Sequence, residues 1–512
     1  MSDTKPLHLH RKVLLLSVAM ALGACSSIQP QPITSDTLLK QSKTDQQNAL
    51  NAAPPLNGPL SLEEAMARAL KFNLERRTLM MEETIAMNQL DLSRYDMLPQ
   101  LVAQAAYHDR SEDAVTRSKD SVTGLPSLAN PYISSERQHT TADLNLSWNI
   151  LDFGLSYYSA KQKADQVLIA AEHRRRAMHQ LMQNVRSAFW RVASAQKLQN
   201  QVNTAITDAE DALQDARQAE EAKIRSPLDA LRYQRQVLEN LRLLESINQE
   251  LSTARVELAN LINAPLSQAL QVVETNESAD SPMLTMPVDQ LETIAITQNA
   301  NLREQFYNTR IAQIETRKVM TRLFPSLGFN YSLRCDSDNY LVHQNWNEAG
   351  MQLSYNLMNL FTAPIQRKLA DAGVALADQR RMATQMAVLA QVHIAQLEYA
   401  NAYRQFNRAD AIWKVDSKIA TQIANREDAK TQSKLDVVAN NTTAILSLLR
   451  RYQSLAQVHA AASKLQSSLG MEPTIGNVQD MELSQLTQQI QISLQQWQKG
   501  ETTITPAAIT KE

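Results

Sequence analysis

Four short segments of the chain alternate apolar and polar residues with a period of two. Residues 141–150, 326–333 and 350–357 alternate clearly, and residues 100–107 alternate more weakly. This alternation predicts β-strands that have one apolar and one polar face. Each segment has about the nine or ten residues that a tilted strand needs to cross a bilayer. Alternation alone favours a half-buried sheet in a soluble domain, so the membrane alternative needs a second observation.

A period of seven runs through residues 155–226, which contain no Gly or Pro. A sustained heptad predicts a helix that packs on partners as a coiled coil, and some 65 residues would make a rod of roughly 100 Å. Shorter helices are predicted for residues 74–97 and 228–261, and residues 374–469 again lack Gly and Pro. The two apolar registers are Met178, Val185, Val192, Gln199, Ile206 and Leu213, and Leu181, Ala188, Ala195, Val202, Ala209 and Ala216.

The two halves of the chain repeat each other. Residues 222–229 (AKIRSPLD) match the segment AKTQSKLD that begins 207 positions later, and the same offset carries LSWNI at residue 146 onto LSYNL. Further upstream, LPQL at residue 98 matches FPSL at an offset of 226. The first repeat therefore has 19 extra residues between Pro99 and Trp148, which indicates a loop.

The N-terminus has the pattern of an export signal over residues 1–24. A basic segment precedes the apolar residues 13–22, and the following Gly-Ala-Cys25 resembles a lipobox. Cys25 would then carry a diacylglycerol on its thiol and an amide-linked palmitate, and Ser26 favours the outer membrane. The alternative is an ordinary secretory signal cleaved near Ala24. The lipid signal makes the membrane interpretation of the four strands the better one. Residues 25–59 carry five prolines and predict an extended linker.

Composition excludes several classes of function. The net charge of −2 leaves no field that would attract nucleic acid, and only 10 Gly and 5% aromatic residues indicate long helices. The run Arg174-Arg175-Arg176 is interpreted as a solvated helix face. No metal-ligand spacing, nucleotide-binding loop or nucleophile motif is evident, so we expect no cofactor and no enzymatic activity. Once Cys25 is acylated, Cys335 has no partner for an intrachain disulfide.

Several short motifs occur along the chain in a fixed order that is typical of one protein family. They are LEEA at residue 62 leading to Asn73-Leu74, Leu98-Pro99, WNILDFG at residue 148, and a Ser-x-Leu-Asp turn in both repeats. Over residues 60–472 the chain resembles the TolC family of outer-membrane efflux proteins, of the lipoprotein type. One departure is Lys223 and Lys430, where the family often has Gly.

The resemblance implies a mainly α fold with a small β part. Long coiled-coil helices would form an α-helical periplasmic tunnel, and four transmembrane strands per chain would enter a trimeric twelve-stranded outer-membrane barrel. Residues 108–140 and 334–348 would be extracellular loops. The expected organisation is a first repeat over 60–265, an inter-repeat linker over 266–287, a second repeat over 288–472, and a tail over 473–512 with a short amphipathic helix.

The resemblance also implies a function. The chain would be the outer-membrane channel of a tripartite efflux or type I secretion system, working with a periplasmic adaptor and an inner-membrane pump of the RND or ABC type. Asp436 would form an acidic ring at the periplasmic entrance, or Asp436 and Asp229 would only cap their helices. The alternative function is a structural periplasmic lipoprotein without a pore. Adaptor docking is assigned to Lys223, Ser226, Leu228, Asp229, Lys430, Ser433 and Leu435.

Overall fold

The computed structural model divides the chain into two units, Met1–Pro54 and Pro55–Glu512. Helix α1 (Ser35–Asn51) belongs to the first unit, and all other elements named below belong to the second. The structure describes residues 31–117, 119–126, 131–221, 227–266, 268, 270–273, 286–428, 434–473, 475 and 478–498.

Helix α1 corrects the expectation of an extended linker over residues 25–59. Thr34 caps the helix, because its Oγ1 accepts a hydrogen bond from the backbone N–H of Thr37 at 3.3 Å. The prolines of this region lie only before and after the helix, at positions 30, 32, 54, 55 and 59. Proline disrupts a helix only from within, so the 17 residues of α1 keep their backbone hydrogen bonds.

Within its described residues, the first repeat contains four helices, two strands of a four-stranded main sheet, and a hairpin in the loop between those strands. That loop is the one that the 19 extra residues predict. In chain order the elements are α2 (Leu62–Phe72), α3 (Leu74–Tyr95), β1 (Gln100–Asp109), β2 (Ala114–Thr116), β3 (Tyr132–Ser135), β4 (Gln138–Asn149), α4 (Ile150–Glu221) and α5 (Pro227–Leu261).

The described residues of the second repeat form the same elements in the same order, without the hairpin. A further helix, α10 (Leu483–Gln498), lies in the tail and packs against α2. Its buried residues recur every three or four positions, as in an amphipathic helix. The apolar ones are Leu486, Ile490, Leu494 and Trp497, and Ser493 is buried beside them. The elements of the repeat are α6 (Val288–Gln298), α7 (Ala300–Thr321), β5 (Ser326–Asp336), β6 (Asn345–Ser354), α8 (Asn359–Asp428) and α9 (Lys434–Leu469).

Equivalent asparagines form the same helix corner in both repeats. Asn73 lies between α2 and α3, caps α3, and donates from Nδ2 to the carbonyl oxygen of Leu261 at 3.2 Å. Asn299 lies between α6 and α7, caps α7, and donates from Nδ2 to the carbonyl oxygen of Ser468 at 2.9 Å. Each corner therefore ties the start of a repeat to the end of its last long helix.

A second pair of asparagines makes the turn from strand to helix. The side-chain oxygen of Asn149 accepts the backbone N–H of Leu151 at 2.9 Å, and that of Asn356 accepts the N–H of Met358 at 3.0 Å. This explains why the WNILDFG motif has asparagine at its second position. It also explains why β6 ends at Ser354, whereas alternation continues to residue 357, because Asn356 already belongs to the cap.

The four predicted strands form one antiparallel sheet in the order β1-β4-β5-β6. The register is continuous, and Leu144 lies opposite both Ala103 of β1 and Leu333 of β5. The strands are 10, 12, 11 and 10 residues long. Pairing extends past the predicted ends of β1 and β4, because His108 and His139 continue the ladder. The loops are therefore slightly shorter than residues 108–140 and 334–348.

The long helices of the two repeats pack against each other along the predicted heptad. At 72 residues, α4 is about 108 Å long, and it contacts α3, α5, α7 and α9. Alanine in the second register lets the helix axes approach closely. The buried members of the two registers are Met178, Leu181, Val185, Ala188, Val192, Ala195, Val202 and Ala209.

The segment between the repeats is attached to the helical body. Leu60 and Val272 form a parallel bridge, in which the N–H of Val273 donates to the carbonyl oxygen of Leu60 at 2.9 Å. The side chain of Gln196 on α4 accepts from the N–H of Val272 at 2.9 Å and donates to its carbonyl oxygen at 3.2 Å. None of the helices in the parts of the chain described here is both long and apolar enough to cross a bilayer.

Candidate functional site

One face of the main sheet is apolar and largely exposed in the single chain. Directly opposed residues point to the same side of a sheet, so the register places most apolar residues of the four strands on one face. Leu101 is 64% exposed and Met351 is 70% exposed. A continuous apolar face of this kind marks a surface that packs against lipid or protein. It comprises Leu101, Ala103, Ala105, Ala142, Leu144, Leu146, Trp148, Leu327, Phe329, Tyr331, Leu333, Ala349, Met351 and Leu353.

The opposite face is polar and carries one group of charges. Arg334 on β5 lies opposite Asp143 on β4, with Nε 3.8 Å from an oxygen of Asp143 and 3.3 Å from an oxygen of Glu348 on β6. Toward the helices, β4, β5 and β6 contribute only asparagine, serine, glutamine and glycine to this face, and β1 contributes Val102 and Gln100. The sheet thus has one apolar face and one polar face.

The two outer strands leave their edges open. In the described part of the chain, β1 pairs only with β4, and β6 pairs only with β5. Each outer edge presents a row of backbone N–H and C=O groups, which is a template for pairing with another strand. Both edge strands are 10 residues long, so the open edges are long as well.

At the far end of the sheet from the helices, Asp338 links the loops of the two repeats. Its carboxylate accepts the backbone N–H of Tyr340 at 3.0 Å and that of Glu136 at 3.2 Å. Burial raises the pKa of Asp338, but hydrogen bonds from Ser135, Tyr340 and Glu136 and the charge of His139 lower it more. The carboxyl therefore has a pKa below its usual value and favours the ionised form.

The helix tips are the regions far from the sheet where α4 ends and α5 begins, and where α8 ends and α9 begins. Pro227 is the first residue of α5, the position where proline costs least. Asp436 is partly buried in the first turn of α9, and its carbonyl oxygen accepts from Nδ2 of Asn440 at 2.7 Å. Leu228 is exposed in α5. A small apolar cluster of Ala209, Ala212, Val237, Leu241 and Val438 joins α4, α5 and α9 near the tips.

Several predicted site residues fall outside the description. Cys25, Lys223, Ser226, Lys430 and Ser433 are not among the described residues. Asp229 and Leu435 lie in the first turns of α5 and α9, but their side chains are outside the description as well. The roles assigned to these residues stay predictions.

The arginine run on α4 is not a solvated face. Arg175 is buried and donates from Nη1 to Glu172 at 2.5 Å, and from Nε to Glu472 after α9. Its neighbours Arg174 and Arg176 pair with Glu83 on α3 and Glu304 on α7. The interpretation as a charge run in water was wrong, because α4 is surrounded by other helices and each arginine meets a different one.

Comparison of the sequence with protein-family models and with curated proteins gives no match. Solved structures are similar to it. The CmeC outer membrane channel of Campylobacter jejuni superposes with a TM-score of 0.64 at 13% identity, over 84% of this chain and 89% of that one. VceC of Vibrio cholerae, an outer membrane protein, gives 0.59 at 12% identity, over 80% and 96%.

A third similar structure is the open state of the MtrE outer membrane channel of Neisseria gonorrhoeae. It has a TM-score of 0.56 at 15% identity, over 79% of this chain and 90% of that one. The chain therefore has the fold of the outer-membrane channels of the TolC family, which confirms the fold class that the sequence motifs implied. The similarity extends over most of both chains.

Proposed function

We propose that the chain is one protomer of a trimeric outer-membrane channel that serves a tripartite efflux or type I secretion system. The observation that carries this proposal is the main sheet, which has an exposed apolar face, a polar face and two open edges. The similar structures CmeC and MtrE are outer membrane channels. The helical body would then lie in the periplasm and lead substrate to the sheet.

A bilayer gives the physical reason for more than one copy. Each unpaired backbone group in the hydrocarbon costs several kcal/mol, so a sheet in lipid has to close on itself. Four strands from one chain cannot close, whereas three copies supply twelve, enough to leave an aqueous lumen. The apolar face would then contact lipid, and the face with Arg334, Asp143 and Glu348 would line the lumen.

The partners follow from the same proposal. The tips of α4, α5, α8 and α9 would dock onto a periplasmic adaptor, which couples the channel to an inner-membrane pump of the RND or ABC type. Cys25 would carry the lipid anchor at the outer membrane of a Gram-negative bacterium. The loops after β1 and β5 would face the exterior, with the longer loop and its β2–β3 hairpin in the first repeat.

Engineered disulfides between the open edges test the assembly. In a Cys335→Ser background, Ala103→Cys on β1 is combined in turn with Ala349→Cys, Met351→Cys and Leu353→Cys on β6. If β1 of one copy pairs with β6 of the next, one combination brings the Cβ atoms within the roughly 3.5–4.5 Å that a disulfide needs. Oxidation should then give a covalent trimer on a denaturing gel, which a reductant reverses.

The matched control is Ala142→Cys combined with Met351→Cys. Ala142 lies on the same face, but β4 already has strands on both sides and cannot pair with β6 of another copy. Covalent trimers in the control, or none in any edge combination, would contradict the proposed closure. Current recordings from purified protein in planar bilayers distinguish the channel from the alternative function. A structural lipoprotein without a pore gives no single-channel conductance.

A further inference from the structure

Arg186 is a buried cation without an acidic partner. It lies on α4 and faces α9, where its Nη1 donates to Oε1 of Gln466 at 2.8 Å. Within the described part of the chain, no carboxylate oxygen lies within ion-pair distance of its guanidinium. Arg175, three turns earlier on the same helix and equally buried, instead pairs with Glu172 and Glu472. The exception at Arg186 therefore needs an explanation.

Other polar atoms beside Arg186 also lack hydrogen-bond partners. They are Nε of Arg186 itself, Nε1 of Trp190, Nε2 of His459 and Oγ of Ser463. Arg186 and Trp190 are four residues apart on α4, and His459 and Ser463 are four residues apart on α9, so each pair shares one helix face. The indole of Trp190 stacks on the imidazole of His459 with ring centroids 4.2 Å apart. The four atoms thus line one seam between α4 and α9.

The seam carries one positive charge at neutral pH. Burial lowers the pKa of Arg186 to about 10, against an opposing effect of Tyr399, so the guanidinium stays protonated. Burial and the charge of Arg186 lower the pKa of His459 to about 3, so the imidazole is neutral. A buried charge that is neither paired nor fully hydrogen-bonded costs several kcal/mol.

We propose that the seam of Arg186, Trp190, His459, Ser463 and Gln466 binds a small monovalent anion, for which chloride is the natural candidate. The atoms without partners are an arginine N–H, an indole N–H, a hydroxyl and an imidazole nitrogen, and all four can donate. A water molecule would satisfy some of these donors but would leave the charge uncompensated. A dianion would reverse the sign of the charge and cost more to desolvate.

The bound anion would join the two repeats. Arg186 and Trp190 belong to the long helix of the first repeat, and His459 and Ser463 belong to the last helix of the second. An anion that binds the folded chain and not the unfolded one stabilises it by mass action. The site is thus a structural one within a protomer, and it is independent of whether the protein conducts.

Trp190 provides the readout, because a heavy halide bound beside an indole quenches its fluorescence. Bromide is titrated into the full chain in detergent, with gluconate holding the ionic strength constant. The wild type should show a saturable quenching component, which chloride displaces, in addition to the linear collisional quenching of the exposed tryptophans. Trp190→Phe should lose the saturable component and keep the linear one.

Arg186→Met removes the charge and keeps the chain length. It should raise the half-saturating bromide concentration by about tenfold or more, since each 1.4 kcal/mol of lost binding energy is a factor of ten. The matched control is Arg191→Met, because Arg191 is also on α4 but already pairs with Glu257. Arg191→Met should bind bromide like the wild type.

Anomalous diffraction from wild-type crystals grown in bromide tests the site without any substitution that affects folding. A peak within hydrogen-bond reach of Arg186 and Trp190 is the expected result. Purely linear quenching that is identical in the wild type and in Trp190→Phe would overturn the proposal. An ordered water at the seam with no bromide signal would do the same.

Discussion

Asp436 occupies a position where two explanations of its role make different predictions. It is the third residue of α9, within the first turn, and not the residue that precedes the helix. A carboxylate there is favourable to the helix dipole, which is worth about 0.3–1 kcal/mol at an exposed site. Asp229 has the same position in α5. If both residues were only helix-stabilising, their substitutions would have similar effects on stability and none on conduction.

We expect Asp436→Asn to weaken the cation preference of the channel and its block by multivalent cations in planar bilayers. The reason is that three carboxylates around one entrance repel each other and attract cations. Trimer stability should stay nearly unchanged, because asparagine keeps the size of the side chain. Asp229→Asn is the matched control and should alter selectivity much less. Equal changes in selectivity for the two variants would contradict the assignment of Asp436 to the entrance. A lower melting temperature of Asp436→Asn with unchanged conduction would favour the helix-dipole role.

A second prediction at this scale concerns Asp338 and pH. Because its pKa is lowered in the folded state, the ionised carboxylate stabilises the loop junction at neutral pH. That contribution begins to fall below the unfolded pKa, near pH 4, and is lost as the pH drops through the lowered value of the folded state. The amides of Glu136 and Tyr340 should therefore stay protected from hydrogen exchange at neutral pH and lose protection only in acid.

Asp338→Asn should expose the same two amides at neutral pH. A hydrogen bond to a charged group contributes about 1.5–3 kcal/mol, so their exchange should accelerate about tenfold or more. Asp109→Asn, at the end of β1, is the control, because Asp109 accepts from the side chain of Gln138 at 3.4 Å and not from those amides. Unchanged exchange in Asp338→Asn would show that the junction is held by other contacts.

At the scale of elements, the two helix corners differ at one backbone position. Gly470 follows α9 with φ +72°, and the equivalent Asn263 after α5 has φ 55°. Asparagine tolerates this left-handed conformation, so the corner of the first repeat needs no glycine. At Gly470, however, an added Cβ would meet the carbonyl oxygen of Gln298 far inside van der Waals contact. Glycine is therefore required at position 470 because the backbone of Gln298 approaches closely, as well as because φ is positive.

We expect Gly470→Ala to destabilise the chain by about 3 kcal/mol or more, since steric overlap adds to the roughly 1–2 kcal/mol of left-handed strain. The measurement is the urea concentration at half-unfolding of the full chain in detergent. Gly124→Ala is the control, because Gly124 has φ +69° and nothing within 4 Å of the added Cβ. Similar losses of stability in both variants would mean that the structure accommodates the added Cβ beside Gln298 without further destabilisation.

At the scale of the whole molecule, membrane attachment has two independent sources in the proposed function. One is the sheet, and the other is the lipid on Cys25, where about 0.8 kcal/mol per buried methylene makes a triacylated anchor effectively permanent. We expect mass spectrometry of the mature N-terminus to find Cys25 with a thioether diacylglycerol and an acylated amine. A free, unmodified first residue would remove the anchor from the proposal.

Without the lipid, the sheet is the only membrane attachment in the proposal. The variant Cys25→Ser therefore tests the sheet independently of the lipid. The variant should still reach the outer-membrane fraction and give conductance in planar bilayers, because closure of the strands does not depend on the lipid. A variant that is fully soluble and does not conduct would show that the sheet is no membrane element. That outcome would favour the structural lipoprotein.

The sequence alone was enough to predict the strands, the long helices and the duplication. Each depends on a local period, because a strand exposes alternate residues and a coiled-coil helix buries every seventh in each register. The alternation around Leu144 and Tyr331 and the heptad around Val185 are therefore visible without knowing any partner. The repeat offset needs only comparison of the chain with itself.

Tertiary structure decided the features in which the environment of a residue matters more than its type. Composition predicted an extended linker over residues 25–59, yet the positions of the prolines permitted α1. The sequence showed Arg175 as part of a charge run, although the crossing of α4 with α7 and the end of α9 buries it among carboxylates. The cation at Arg186 could not be distinguished from its neighbours along the chain. Whether a charge is solvated, paired or isolated depends on which distant helices surround it, and no local period contains that information.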